Sequence, residues 1–232
     1  MKSLYNKTIS ILGDSISTYK GISNCAEYNE TIDINTIYYD GTFSLNSVDE
    51  CWWKKLIDKY NLRLIVNNSW SGSRVTTTRN ILDAGCMHRS LNLHNNDNEE
   101  PDIILIYLGI NDFNNNVELG EFPDDLNNLN ETLFTSAYIK MVCNIKNKYK
   151  NSIIYCATLP YSAIKDNEVE FNKFNMTIRK IVKTFNLKLV DLNKLSSFNK
   201  DNIYTYTAEG LHPNTLGHDD LFRCFAKELT KN

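Results

Sequence analysis

The 232-residue chain contains no apolar run approaching the ~18 residues that a membrane-spanning helix requires. Its start is largely polar, and the apolar stretch that follows (Ile9, Ile11, Leu12) is cut short by Gly13 and Asp14. That stretch is too brief for the apolar core of a secretory leader and reads better as a first strand. The expectation is a cytoplasmic protein without a membrane partner, export staying open if a leader was removed from a longer precursor. Basic residues are not in excess: 25 Lys and Arg stand against 28 Asp and Glu, a net charge of −3. The positive field that binds nucleic acid is therefore missing, and no such partner is expected. The six cysteines include no C-x-x-C pair and no zinc-type spacing, so no metal is expected. Cys143, Cys156 and Cys224 lie in apolar segments and read as small buried hydrophobes, while a bridge among Cys25, Cys51 and Cys86 stays open. No repeat and no linker divides the chain, which reads as one domain over residues 1–232.

What is present is an alternation. Five short runs rich in Ile, Leu and Val, at residues 8–12, 62–66, 103–108, 153–157 and 187–190, are bounded by turn residues and read as buried strands. Helical stripes fall between and after them at residues 48–60, 76–93, 133–149, 168–185 and 215–229. Strand–helix alternation predicts an α/β domain on a parallel sheet, whose ligand sits at the carboxyl ends of the strands. Three excursions leave this core: residues 94–101 read as a polar surface loop, and residues 21–47 and 113–129 are of a length that is usually functional or disordered. Of the Trp52–Trp53 pair, one ring is expected in the core and the other near the site or the sheet edge.

Polar motifs follow the strands. Ser15 stands directly after the first, in Gly13-Asp14-Ser15; a serine there could cap a turn or act as a nucleophile. His212 precedes the last helix in Glu209-Gly210-Leu211-His212-Pro213. Histidine is the usual base for a serine because its pKa lies near working pH, and Glu209 could orient the ring. His88, His94 and His218 read as solvated surface residues. Asn111, in Gly109-Ile110-Asn111-Asp112, and Gly72, in Ser71-Gly72-Ser73-Arg74, either form turns or donate hydrogen bonds to an oxyanion. Asp14, Arg74 and Asp112 are candidates for substrate contact, although the two aspartates read better as turn-holding residues and Arg74 as a surface ion pair.

Taken together and in this order, Gly-Asp-Ser after strand one, Gly72 after strand two, Gly-x-Asn-Asp after strand three and x-x-His-Pro before the last helix resemble the four blocks of the SGNH (GDSL-like) hydrolase superfamily. The resemblance spans residues 8–229. It implies a flavodoxin-like α/β/α sandwich, three layers around five parallel strands in the order 2-1-3-4-5. It further implies Ser15 as nucleophile, His212 as base, an oxyanion hole of the Ser15 and Gly72 N–H groups with the Asn111 side chain, ester hydrolysis as the activity, and no cofactor. One departure is Glu209, where the family usually has aspartate; the third triad member is the position this puts in doubt. The G-x-S-x-G elbow of a different serine-hydrolase fold is absent.

The substrate expected is a small molecule or a glycan ester. The aromatics of the 21–47 loop, Tyr28, Tyr38, Tyr39 and Phe43, could stack on a sugar, cover a short acyl chain or simply pack the loop. The leading expectation is a short-chain, acetyl-type esterase acting on a carbohydrate. A lipase or thioesterase of the same superfamily, and a non-catalytic carbohydrate-binding module on this fold, are the competing readings.

Overall fold

The computed structural model describes residues 4–23, 37–77 and 89–231. Five strands form one parallel sheet: β1 (Thr8–Gly13), β2 (Arg63–Ser69), β3 (Ile103–Tyr107), β4 (Ile153–Ala157) and β5 (Lys188–Val190). Their order is β2-β1-β3-β4-β5, as the resemblance implies. Every residue of β3 is buried, so both faces of the sheet centre are covered. The cover comes from helices α1 (Trp52–Tyr60), α2 (Ile110–Asn114), α3 (Phe134–Lys148), α4 (Glu168–Thr184), α5 (Leu192–Leu195), α6 (Ile203–Tyr206) and α7 (Thr215–Leu229). α1 packs on α7, and α3 packs on α4. Among the described residues no helix is long and apolar enough to cross a membrane.

The sheet departs from the sequence reading mainly in β2. It runs on through Asn67, Asn68 and Ser69, which read as a turn but are buried strand residues. Their side chains bond to neighbouring backbone: Asn67 Nδ2 donates to the Ser17 carbonyl at 2.9 Å, and Asn68 Nδ2 to the Asn92 carbonyl at 3.2 Å. The expected 48–60 helix splits into a 3-10 turn, Val48–Glu50, capped by Ser47, and α1. Most of the 76–93 helix lies outside the described residues, and its end is a 3-10 turn, Arg89–Leu91. The His88, Cys25, Cys86 and Tyr28 readings also fall outside them.

Two further expectations are corrected. Both Trp52 and Trp53 are core residues, and Trp52 stacks on Phe225 of α7 with ring centroids 4.1 Å apart. His218 is fully buried, because the α7 turn that carries it lies against the start of α1, where its Nδ1 accepts the backbone N–H of Trp52 at 3.1 Å. His94 is half-buried and paired with the Tyr149 hydroxyl. Cys51, Cys156 and Cys224 are buried free thiols, and Cys143 is only partly covered.

Burial, with minor help from the Lys55 charge, drives the His218 pKa down to about 3. The folded state therefore holds this ring neutral while the unfolded chain protonates it below about 6.5. Its contribution to stability is complete above that value and is lost as pH falls toward 3. In urea unfolding, His218→Gln should cost about 1–3 kcal/mol at pH 7.5. The gap between variant and wild type should narrow at pH 4.5; a gap that widens there would contradict the assignment.

Candidate active site

Parallel register aligns the carboxyl ends of three strands. Gly13 pairs with Ser69 on one side and with Tyr107 on the other. The segments after β1, β2 and β3 consequently emerge together, at the point where the chain order reverses across the sheet, the usual ligand crevice of open α/β folds. Gly13 is required here by space: a Cβ would lie 2.8 Å from Ser17 and from the Ser69 hydroxyl.

Ser15 opens a single 3-10 turn, Ser15–Ser17, capped by Asp14, whose carboxylate accepts the Ile16 N–H. At the other end of the chain, residues 207–214 form a tight loop before α7. Thr207 and Pro213 bridge, Ala208 N–H donates to the His212 carbonyl at 2.9 Å, and Ala163 N–H donates to the Gly210 carbonyl at 2.8 Å. This loop sets His212 Nε2 at 2.9 Å from Ser15 Oγ. His212 Nδ1 lies in close hydrogen-bond contact with Glu209 Oε1. The partners assign the tautomer: Nδ1 carries the proton toward the carboxylate, and Nε2 offers its lone pair to the serine. Burial lowers the His212 pKa despite the opposing pull of Glu209, so the ring is neutral and basic near pH 7.

Two of the oxyanion candidates lie on segments that touch, since Asn111 contacts the residue after Gly72. Gly72 has φ +71°, and a Cβ there would project into open space. Asn111 lies in α2, not in a simple turn, and donates from Nδ2 to the Ser73 carbonyl at 2.9 Å. An amide nitrogen has two N–H groups, so this bond orients the side chain and leaves a second donor.

Asp14 and Asp112, candidates for substrate contact, are both fully buried and serve the backbone. Asp112 accepts from Val75 N–H at 2.9 Å, Thr76 N–H at 3.1 Å and the Thr76 hydroxyl at 2.8 Å, joining the post-β2 segment to α2. Burial raises the Asp14 pKa to about 7 and that of Asp112 to about 6. Arg74 is partly buried, and its charge acts on Asp112, pulling that carboxyl back down. Among the described residues no cluster of His, Cys, Asp or Glu gathers that could hold a metal ion.

Two residues of the site go beyond the sequence reading, which has Tyr38 only as a loop aromatic that could face substrate and does not single out Arg89. Tyr38 stacks on the His212 ring, with centroids 3.5 Å apart and planes 9° from parallel. Arg89 is almost wholly buried and donates to the Gly13 carbonyl at 2.5 Å, the Asn68 carbonyl at 2.6 Å and Asn68 Oδ1 at 3.2 Å. It ties the ends of β1 and β2 together beside the nucleophile turn.

The profile of one family, described as GDSL-like lipase/acylhydrolase, matches residues 7–206. The chain belongs to that family. Among solved structures, a protein described as a GDSL-like lipase from Bacteroides ovatus is 25% identical with a TM-score of 0.73, over 98% of this chain and 99% of that one. A second such protein, from Bacteroides uniformis, is 23% identical with a TM-score of 0.72, over 97% of this chain and 96% of that one. An acetylxylan esterase from Geobacillus stearothermophilus, solved as a catalytic mutant, is 20% identical with a TM-score of 0.57 over 100% of this chain and 98% of that one. A comparison with curated proteins found no match.

Replacing Arg89 by Ala should destabilise the fold by about 3–5 kcal/mol, because it opens a cavity and removes the charged donor from two buried carbonyls and from Asn68 Oδ1. A urea midpoint within error of wild type would show that the β1–β2 junction does not depend on this guanidinium.

Proposed function

We propose that the protein is a serine esterase hydrolysing short acyl esters, acetyl foremost, on a carbohydrate. The observation that carries this reading is the continuous chain from Ser15 Oγ through His212 to Glu209, at the carboxyl edge of the sheet. In the proposed reaction Ser15 Oγ attacks the ester carbonyl while His212 Nε2 takes its proton. Glu209 stabilises the resulting imidazolium. The N–H groups of Ser15 and Gly72 and the free N–H of Asn111 Nδ2 receive the developing oxyanion. Collapse expels the alcohol, which takes the proton from His212. Water activated by His212 then attacks the acyl-Ser15 carbonyl, releasing the carboxylic acid and restoring the serine.

Two features support a short acyl group on a sugar. Ser15 keeps only 3% of its surface exposed, which favours a slim acyl group over a long chain. Exposed rings flank the loop of Glu209 and His212: Phe43 packs edge-on against Tyr38, and Tyr204 lies beside Gly210. Such rings suit a sugar face, and the Geobacillus neighbour is an acetylxylan esterase.

With p-nitrophenyl acetate, Ser15→Ala should lose at least roughly a thousandfold in kcat, and Glu209→Ala less. Activity in Ser15→Ala equal to wild type would overturn the esterase reading and favour a binding module. Across p-nitrophenyl esters, kcat/KM should fall from C2 to C12. An equal or higher value on the C12 ester would replace the short-acyl reading with a lipase or thioesterase.

A further inference from the structure

Glu209 is longer than the aspartate usual at its position, and its side chain is 41% exposed. A longer, solvated carboxylate has more rotamers to lose when it fixes a ring. His212 is likewise held by only one carboxylate oxygen, Oε1. Something must therefore restrict both groups, and the segment after residue 36 is placed to do so.

Tyr38 meets both members at once. Its ring lies flat on the His212 imidazole at 3.5 Å, and its hydroxyl donates to Glu209 Oε2, the oxygen that His212 does not use, at 3.3 Å. The backbone of Tyr38 is tied to the nucleophile turn as well. Tyr38 N–H donates to Thr18 Oγ1 at 2.9 Å, and that hydroxyl donates to the Ser15 carbonyl at 2.8 Å. The next residue closes the strap: the Tyr39 hydroxyl donates to the Pro213 carbonyl at 2.8 Å, and the Tyr39 carbonyl accepts the Lys20 N–H at 2.9 Å. One short segment thus bonds to the turn of Ser15 and to the loop of His212.

We propose that Tyr38 is a positioning residue of the triad, its ring fixing the imidazole plane between Ser15 and Glu209 and its hydroxyl locking the glutamate rotamer. The proposal rests on the esterase reading above. The two halves of the side chain then have separable effects. The ring keeps water from His212, and burial is the main cause of that group's lowered pKa. The hydroxyl reaches the triad through Glu209, and Ser44 is its other side-chain partner. Burial and the adjacent carboxylate push the Tyr38 phenol well above its ordinary pKa, so it remains a donor throughout the working range.

Among the described residues, the titratable groups facing His212 are few. Glu209 comes from its own loop and Tyr38 from the strap. His218 of α7 is neutral in the working range, with a pKa of about 3. Asp14, buried in the Ser15 turn, is common to all the variants below, so differences between them isolate Tyr38.

The test is the pH profile of p-nitrophenyl acetate hydrolysis for wild type, Tyr38→Phe, Tyr38→Ala, Ser15→Ala, Glu209→Ala and the Tyr38→Phe/Glu209→Ala pair. The acid limb of kcat/KM reports the base in the free enzyme, so in wild type its midpoint should lie below about 6.5. Tyr38→Ala, which exposes the ring, should move that midpoint up toward 6.5 and lower kcat at least about tenfold. Tyr38→Phe should move the midpoint less and lower kcat about three- to tenfold, the loss of one hydrogen bond to a charged group, with KM within about twofold. In the Glu209→Ala background the Phe substitution should cost nothing further. Tyr38→Phe retains the packing and decides the matter where Tyr38→Ala fails to fold. Wild-type kcat and an unmoved limb in the Tyr38 variants, with Ser15→Ala inactive, would overturn the proposal and leave the esterase reading standing. Equal losses from Tyr38→Phe with and without Glu209 would also overturn it. Wild-type activity in Ser15→Ala would remove both.

Discussion

One backbone carbonyl, that of Gly13, anchors the whole site. It receives the Arg89 guanidinium, the Trp70 N–H at 3.2 Å and the Ser73 hydroxyl at 3.4 Å. A carbonyl oxygen offers two lone pairs, so this is a crowded acceptor dominated by the charged donor. Its effect is geometric. The residue before the Asp14–Ser15 turn is held against the residues that bracket Gly72, so the proposed nucleophile and one proposed oxyanion donor cannot drift apart. Asp112 repeats the device one strand over, joining Val75 and Thr76 to the turn of helix that carries Asn111.

The scaffold beneath the site is unusually polar for a core. Asp14, Asn67, Asn68, Ser69, Arg89 and Asp112 are all buried within the carboxyl edge of the sheet or just past it. Isolated, such groups would be costly; hydrogen-bonded to backbone, they fix loop positions that apolar packing would leave looser. Asp14 and Asp112 hold their protons to higher pH than free carboxyls, whereas His218 sheds its proton early. Between about pH 4 and 6 the aspartates therefore favour the fold on the acid side and the histidine on the basic side, and their linkage terms oppose one another.

How much was legible in the sequence follows from which interactions are local. β1, β3 and β4 announce themselves because a parallel strand buried on both faces needs an unbroken aliphatic run. The end of β2 does not, since Asn67, Asn68 and Ser69 look like a turn until their buried partners are known. His218 sits between Gly217 and Asp219, which suggests a wet helix face; only the packing of α7 on α1 reveals the opposite. Ser15, Gly72, Asn111 and His212 stand out as candidates through the order of their motifs along the chain. Tyr38 does not stand out as a neighbour of the triad, because Glu209 lies 171 residues from it, and Arg89 does not, because Gly13 lies 76 residues away.

The Glu209–His212 pairing spans three residues, in a loop that also leans on Ala163 and on Tyr38. The contact between His212 and Ser15 spans 197 residues. Contacts of such separation carry a large loop-closure cost before they form. A chain emerging from the ribosome would thus carry a finished turn at residue 15 and no partner for it until α7 docks. On the proposed reading, a half-made copy lacking the docked α7 presents a serine without its base, because Ser15 and His212 come from opposite ends of the chain.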